Sequence, residues 1–190
     1  MGSFMKQPET GGHAGPNIFL CGFMGCGKTT VGRALGELWG ARFVDMDAYI
    51  EERAGMRVAS IFEAGGEARF RALEAQAARE LGSMRGLVVG TGGGAALNPE
   101  NVAAFKGAGT GLLVLLEVPF SLLLKRLAAD ARAQGATRPL LAGGEEAVRH
   151  LYEARLPVYR AAADLSACNP DDRPAAQMAR EIAAALAKRG

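Results

Sequence analysis

The chain has 190 residues and a formal net charge of +2, with 49% hydrophobic and 22% charged residues. This length allows one domain with a substantial core, and the nearly neutral charge argues against a nucleic-acid partner. No apolar stretch approaches the ~20 residues that a membrane-spanning helix requires, so we expect no membrane partner.

The first sixteen residues are polar and glycine-rich and lack the apolar core of a signal peptide. We therefore expect a flexible leader over residues 1–16 and one folded domain over residues 17–190. The three cysteines, Cys21, Cys26 and Cys168, have no C-x-x-C spacing. Cysteines of this kind, in a chain without an export signal, indicate a reducing cytoplasm.

A phosphate-binding loop follows the first predicted strand. Residues 17–21 (NIFLC) are a short apolar run typical of a buried parallel strand. Residues 22–29 (GFMGCGKT) match the pattern G-x-x-x-x-G-K-[ST], and the apolar spacing after Lys28 predicts a helix that ends at Gly40. A strand, a phosphate-binding loop and a helix in this order direct backbone N–H groups at a polyphosphate.

Within this loop, Lys28 supplies a point charge and the Thr29 hydroxyl is a candidate ligand for Mg²⁺. Cys26 is either a small residue tolerated at a variable position or a thiol whose pKa the helix N-terminus lowers. The candidate nucleotide ligands of the segment are Gly22, Gly25, Cys26, Gly27, Lys28, Thr29 and Thr30.

The rest of the chain alternates apolar runs with helical patterns, which predicts a parallel sheet covered by helices on both faces. Asn98 followed by Pro99 predicts an N-cap and the first residue of a helix. The further predicted strands are 43–44, 87–89 and 112–116, and the helices are 46–54, 58–83, 99–106, 119–129, 146–162 and 174–188.

Two glycine-rich segments interrupt this alternation. The run Thr91-Gly92-Gly93-Gly94 directly follows a predicted strand, where glycines allow the backbone to approach a ligand, although a plain loop is the alternative. Residues 130–145 are polar, hinged by glycines and contain Arg132 and Arg138. This composition predicts either a mobile lid or a surface loop.

Four charged side chains are candidates for a metal site and an acceptor site. Asp45 ends the second predicted strand, where parallel sheets collect ligands, and Asp47 follows two residues later. If the chain turns after Asp45, one carboxylate points to metal and the other to substrate, but either is alternatively a helix N-cap. Arg71 and Arg155 carry guanidinium forks suited to a carboxylate, or each is a solvated helix charge.

Together these segments resemble the shikimate kinases, relatives of the nucleoside monophosphate kinases. The resemblance covers about residues 17–188 and implies a three-layer α/β/α sandwich around a five-stranded parallel sheet in the order 2-3-1-4-5. It also implies a substrate-binding region at about 46–75 and a lid at about 130–145. The matching segments are G-F-M-G-C-G-K-T-T at 22–30, F-V-D-M-D at 43–47, I-F-x-x-x-G-E-x-x-F-R-x-x-E at 61–74, G-T-G-G-G at 90–94, R-P-L-L at 138–141 and R-x-P-V-Y at 155–159.

The activity that the resemblance implies is ATP-dependent phosphorylation of the 3-hydroxyl of shikimate, in aromatic amino-acid synthesis through chorismate. Mg²⁺ is the implied metal, shikimate the small-molecule partner, and a cytoplasmic monomer the implied form. In such a site Asp47 binds the shikimate hydroxyls and acts as base, while Arg71 and Arg155 hold the shikimate carboxylate. The triple glycine, of which Gly93 contacts substrate through its backbone, comprises Gly92, Gly93 and Gly94.

On the ATP side, the resemblance makes Asp45 the metal carboxylate beside Thr29. Arg138 resembles the lid arginine that reaches the ATP phosphates, and it joins Lys28 and Asp47 as a catalytic residue. Arg126 and the Arg173-Pro174 pair lie where the family packs around adenine.

Two other functions fit part of the pattern. A kinase for another small hydroxy acid, such as gluconate, would share the phosphate-binding loop without needing the aspartate pair, the triple glycine and R-P-L-L. A ligand-sensing module on a kinase-like fold should have lost catalytic positions or carry a DNA-binding region. The candidate residues are all present, and residues 1–16 are too few for a helix-turn-helix domain.

Overall fold

The computed structural model describes residues 15–107, 109, 111–134 and 144–189, with residues 131–134 described by their backbone alone. Within these ranges five strands alternate with seven α-helices. Their bounds are β1 Asn17–Cys21, α1 Lys28–Trp39, β2 Arg42–Asp45, α2 Met46–Ala54, α3 Val58–Ser83, β3 Leu87–Gly90, α4 Pro99–Lys106, β4 Gly111–Glu117, α5 Phe120–Gln134, α6 Gly144–Ala162, β5 Leu165–Cys168 and α7 Ala175–Ala187.

The strands form one parallel sheet in the order β2-β3-β1-β4-β5. The central strand β1 pairs with β3 and β4, so that Ile18 lies opposite Val88 on one side and Leu112 on the other. Every side chain of β1 and of β3 is buried, as expected for strands covered by helices on both faces. The predicted fold class and strand order are therefore confirmed.

The helices pack closely against this sheet. α1 packs on α7, and α3 packs on α2 and α4. Phe19 of β1 stacks on Phe105 of α4 with ring centroids 4.5 Å apart. On the α1 side, a Cβ on Gly32 would lie 2.3 Å from the Phe43 ring, so a glycine is needed for α1 to approach β2.

Two elements differ from the sequence prediction. The pattern assigns no residues to the fifth strand, which lies at Leu165–Cys168 on the sheet edge and alternates half-buried with exposed residues. This strand lacks the continuous apolar run that marks the inner strands. Helix α3 matches its predicted bounds but contains a non-helical residue, Gly66, with φ 66° and ψ −168°, so it consists of two helical segments joined at a kink.

The predicted leader and lid fall largely outside the described residues. Of residues 1–16, only 15 and 16 are described. Of the predicted lid, residues 130–134 continue α5, residues 144 and 145 begin α6, and residues 135–143 are not described. Among the described helices, none combines the length and the apolar character needed to cross a membrane.

The carboxyl edge of the sheet gathers the candidate functional segments. The phosphate-binding loop follows β1, Asp45 ends β2 and the triple glycine follows β3. The backbone N–H and the hydroxyl of Thr91 both donate to the Leu20 carbonyl oxygen at 3.0 Å. These bonds hold the segment of the triple glycine, residues 92–94 (the glycine loop), beside the phosphate-binding loop. Because strand order reverses at β1, this edge is the switch point at which open α/β sheets bind ligands.

Candidate active site

The phosphate-binding loop has the backbone conformation that its glycines predict. A Cβ on Gly22 would lie 2.6 Å from the Leu116 carbonyl oxygen, so a side chain is excluded there. Lys28 Nζ donates to the carbonyl oxygens of Gly22 at 2.9 Å and Phe23 at 3.1 Å, which keeps its ammonium charge at the centre of the loop. The glycines with positive φ are Gly22 (137°), Gly25 (77°) and Gly27 (100°).

A pocket of about 460 Å³ lies against this loop. Residues 25–31 form one wall, and Arg126 and Arg173, which are far apart in sequence, line the same cavity. Arg126 Nη1 donates to the Gly25 carbonyl oxygen at 3.0 Å. Cys26 is buried in the loop, with Sγ 3.7 Å from Lys28 Nζ, and Thr30 donates its hydroxyl hydrogen to the carbonyl oxygen of Gly27 at 3.0 Å.

Thr29 and Asp45 form a pair of adjacent oxygen donors. Thr29 Oγ1 donates to Asp45 Oδ2 at 3.2 Å, while Asp45 Oδ1 accepts the backbone N–H groups of Asp47 at 3.1 Å and Ala48 at 3.4 Å. Asp45 is therefore the N-cap of α2 and also a neighbour of the phosphate-binding loop. Mg²⁺ prefers oxygen ligands and usually takes only one or two from the protein, so this pair suits it.

A second group of candidate residues lies where α2 and α3 meet the triple glycine. A Cβ on Gly92 would lie 2.9 Å from Asp47 Oδ1, and one on Gly94 would lie 2.6 Å from Arg71 Nη1. Each of these glycines therefore makes room for a charged side chain. In the part of the chain that the structure describes, a Cβ on Gly93 would meet no atom within 4 Å beyond its two chain neighbours, and its φ is not positive. The described protein atoms themselves therefore do not require a glycine at this position.

Glu74 also lies against Gly92, although the sequence pattern gives Glu74 no role. Its side chain is 1% exposed, and its two carboxylate oxygens accept from Arg71 Nη1 at 3.0 and 2.9 Å. Glu67 Oε1 accepts from Arg71 Nε at 3.2 Å and Nη2 at 3.1 Å, so two carboxylates fix the guanidinium. The sequence does indicate these contacts, because Glu67 and Glu74 stand four and three residues from Arg71, and helix residues at such spacings are neighbours.

Helix α6 brings Arg155 to the glycine loop from another direction. The Tyr159 hydroxyl donates to the Gly93 carbonyl oxygen, and Tyr159 is buried. Burial raises the pKa of Tyr159 to about 12, and the opposing influence comes first from Arg155, which lies against its hydroxyl. Arg71 and Arg155 thus flank the same loop, a convergence that sequence spacing does not reveal. Tyr159 is a second residue without a predicted role.

The carboxyl of Asp47 connects the two areas electrostatically. Burial raises its pKa above the ordinary value, and the neighbouring Asp45 raises it further. Lys28 of the phosphate-binding loop and Arg71 of α3 both oppose this elevation. Burial likewise raises the pKa of Glu74, against the influence of Arg71. Asp47 therefore lies within electrostatic reach of both Lys28 and Arg71.

The described part of the chain thus gathers the predicted residues into two adjoining areas. The residues of the phosphate-binding loop, Arg126 and Arg173 share one pocket. Asp47 and Arg71 lie against the triple glycine, and Arg155 lies beside Tyr159, whose hydroxyl donates to the Gly93 carbonyl oxygen. Arg138 lies outside the described residues, as does the side chain of Arg132.

Comparison with known proteins identifies what this arrangement is similar to. The family model for shikimate kinase matches residues 24–187. A shikimate kinase of Geobacter sulfurreducens is 46% identical over 153 residues, 80% of each chain, and one of Sulfurihydrogenibium sp. is 40% identical over 173 residues, 91% of this chain and 99% of the relative.

Solved structures of other proteins are similar to this chain as well. The shikimate kinase from Acinetobacter baumannii in complex with shikimate has a TM-score of 0.81 and 38% identity, covering 92% of this chain and 94% of that one. A gluconokinase from Sinorhizobium meliloti has a TM-score of 0.58 over 93% of this chain and 94% of that one, but at 21% identity this likeness concerns the fold alone.

Proposed function

The chain belongs to the shikimate kinase family and catalyses ATP-dependent phosphorylation of shikimate in aromatic biosynthesis; we propose that its two adjoining areas divide this reaction between them. The pocket against the phosphate-binding loop takes ATP, and the region around the triple glycine takes shikimate. The observation that carries this division is the position of Asp47, whose carboxylate lies against Gly92 and interacts with Lys28.

On the donor side, phosphoryl transfer depends on positioning and on neutralising charge. The loop amides and Lys28 bind the phosphates, and Thr29 with Asp45 holds Mg²⁺, which supplies further charge neutralisation when bound. Arg126 and Arg173 serve the nucleoside end of the pocket. Arg138 stays our candidate for a lid arginine that reaches the transferring phosphoryl group.

On the acceptor side, Arg71 and Arg155 bind the shikimate carboxylate, since guanidinium forks match carboxylate geometry. Glu74 and Glu67 hold the Arg71 guanidinium in one orientation. The backbone of Gly93 contacts the substrate ring, and Asp47 orients the 3-hydroxyl and accepts its proton. The raised pKa of Asp47 makes it a stronger base than an exposed aspartate.

We further propose a cytoplasmic monomer that uses Mg²⁺ and binds neither nucleic acid nor membrane. Free thiols at Cys21, Cys26 and Cys168 support a reducing compartment. The net charge of +2 supports the absence of a nucleic-acid partner. The monomeric state rests on the family resemblance.

An acceptor panel tests this proposal. ADP release is followed with shikimate, quinate and gluconate, for the wild-type chain and for Arg155→Lys, which keeps the charge but removes the fork. We expect shikimate to be the preferred acceptor, and Arg155→Lys to raise the KM for shikimate about tenfold, the value of one charged hydrogen bond, without changing the KM for ATP.

Arg160→Lys, on the same helix and paired with Glu117 away from the glycine loop, is the matched control and should leave both constants unchanged. Preference for gluconate would contradict the proposed acceptor. An effect of Arg155→Lys confined to the KM for ATP would contradict the division into donor and acceptor areas.

A further inference from the structure

We propose that Asp172 is a positioning residue for nucleotide binding, because it holds the Arg126 guanidinium in a fixed orientation at the wall of the pocket. This inference rests on the proposed assignment of that pocket to ATP. Neither the phosphate-binding motif nor the family resemblance gives Asp172 a role.

The guanidinium of Arg126 is held from two sides. Its Nη1 donates to the Gly25 carbonyl oxygen of the phosphate-binding loop at 3.0 Å, and its Nη2 donates to Asp172 Oδ1 in the segment between β5 and α7. Two different nitrogens are thus held by two segments that are far apart in sequence, the phosphate-binding loop and the turn before α7. This fixes the plane of the group and leaves its faces for stacking, which is how guanidinium groups bind aromatic rings.

The segment that carries Asp172 has an unusual backbone. Asp172 has a φ of 54°, and among the described residues it is the sole non-glycine residue with positive φ. This conformation is unfavourable for most L-residues, although aspartate tolerates it better than most. Such conformations persist only where the surroundings enforce them, and they cluster at functional sites.

The enforcing contacts come from Asn169, which is 5% exposed and lines the same pocket. Asn169 Oδ1 accepts the backbone N–H of Arg173 at 2.7 Å, and Asn169 Nδ2 donates to the Arg173 carbonyl oxygen at 3.1 Å. The two bonds close the segment into a fixed turn. The turn places the Asp172 carboxylate against Arg126 at the cost of a strained φ.

Stability alone does not account for this arrangement. The Asp172 side chain is 57% exposed, and exposed ion pairs contribute little to folding. The orientation of Arg126, in contrast, bears directly on what the pocket binds. We expect loss of the Asp172 carboxylate to weaken ADP binding about three- to fivefold, with little change in thermal unfolding.

Two substitutions and one control test this role. Asp172→Asn keeps the size and the tolerance for positive φ but removes the charge, and Asp172→Gly removes the side chain and relieves the strain. Asp171→Asn, at the adjacent exposed position, is the control. The dissociation constants of ADP and of inorganic tripolyphosphate are measured by calorimetry, together with the KM for shikimate.

We expect both Asp172 variants to bind ADP more weakly, with Asp172→Gly the more affected, and to keep wild-type tripolyphosphate binding and KM for shikimate. Unchanged ADP binding in Asp172→Gly overturns the proposal. An equal loss of ADP and tripolyphosphate affinity also overturns it, because Asp172 would then act through the phosphate-binding loop.

The double variant tests whether Asp172 acts through Arg126. In an Arg126→Met background, Asp172→Gly should cause no further loss of ADP affinity. An undiminished loss in that background overturns the positioning role. Failure of the wild-type chain to bind ADP contradicts the assignment of the pocket, and with it this proposal, whereas intact binding in Asp172→Gly contradicts the proposal alone.

Discussion

Gly93→Ala separates folding from substrate binding at the centre of the proposed acceptor area. Among the described residues, no atom beyond the two chain neighbours lies within 4 Å of a Cβ at this position, and the φ of Gly93 is not positive. The described fold therefore accommodates the methyl group. Replacing glycine at a compatible position also reduces the entropy of the unfolded chain. We expect the free energy of unfolding to stay within about 0.5 kcal/mol of wild type or to rise by up to about 1 kcal/mol.

The same methyl group enters the space that we assign to shikimate. Forcing one extra methyl into a packed site costs about 1–3 kcal/mol. At about 1.4 kcal/mol per tenfold change, this raises the KM for shikimate roughly 5- to 150-fold. The KM for ATP should not change, because Gly93 does not line the pocket at the phosphate-binding loop.

The assay is ADP release with each substrate varied in turn, accompanied by denaturant unfolding. Gly92→Ala is the matched control, because its Cβ would lie 2.9 Å from Asp47 Oδ1 and 3.2 Å from Glu74 Oε1. That variant displaces the proposed base, so it should lower kcat as well. A Gly93→Ala enzyme with the wild-type KM for shikimate would refute the reasoning, as would one that is strongly destabilised.

Three further substitutions test single contacts. Asp47→Asn should lower kcat at least about a hundredfold. The pKa of Asp47 is raised in the folded chain, so the stability of the wild type falls as pH rises from the ordinary pKa of 3.8 through the raised pKa. Denaturant unfolding should therefore show Asp47→Asn to be more stable than wild type at pH 7 but not at pH 3, by about 1.4 kcal/mol for each unit by which the pKa is raised. A variant less stable than wild type at pH 7 would contradict this. Asp45→Asn keeps an N-cap side chain and therefore the fold. It should raise the Mg²⁺ concentration that gives half-maximal rate about tenfold. An unchanged Mg²⁺ titration would exclude Asp45 from the metal site. Tyr159→Phe removes the donor to Gly93 and should raise the KM for shikimate about three- to tenfold in initial-rate assays, whereas a change in the KM for ATP alone would place its effect elsewhere.

Much of the fold could be predicted because its signals are local. The Asn98-Pro99 pair predicts the start of α4, and the Asn98 side chain does accept the Glu100 backbone N–H at 2.9 Å. The inner strands are predicted by their apolar runs. β5 has no such run because it lies at the sheet edge, where half of its side chains face solvent. The kink at Gly66 is hidden because glycine is compatible with either a helix or a break.

The candidate site likewise has a part that local sequence predicts and a part that depends on the whole fold. The phosphate-binding loop is contiguous in sequence, so its pattern predicts its geometry. The proposed acceptor area is assembled from α2, α3, the glycine loop and α6, and only the fold reveals that Arg71 and Arg155 approach one loop. Asp45 shows a further limit, because the sequence leaves a helix N-cap and a metal site as alternatives for it. The structure confirms the N-cap and also brings the carboxylate to Thr29 Oγ1, so the two interpretations do not exclude each other, and the metal role stays a prediction.

The most direct test is the identity of the product. Purified chain is incubated with ATP, Mg²⁺ and shikimate, and phosphorus and proton NMR identify where the phosphoryl group goes while ADP is counted. We predict one phosphomonoester, at the 3-hydroxyl of shikimate, formed in equal amount with ADP and at least about a hundredfold more slowly by Asp47→Asn. Inorganic phosphate in place of the ester, a phosphate on another hydroxyl, or product formation by Asp47→Asn at the wild-type rate would contradict the proposed site.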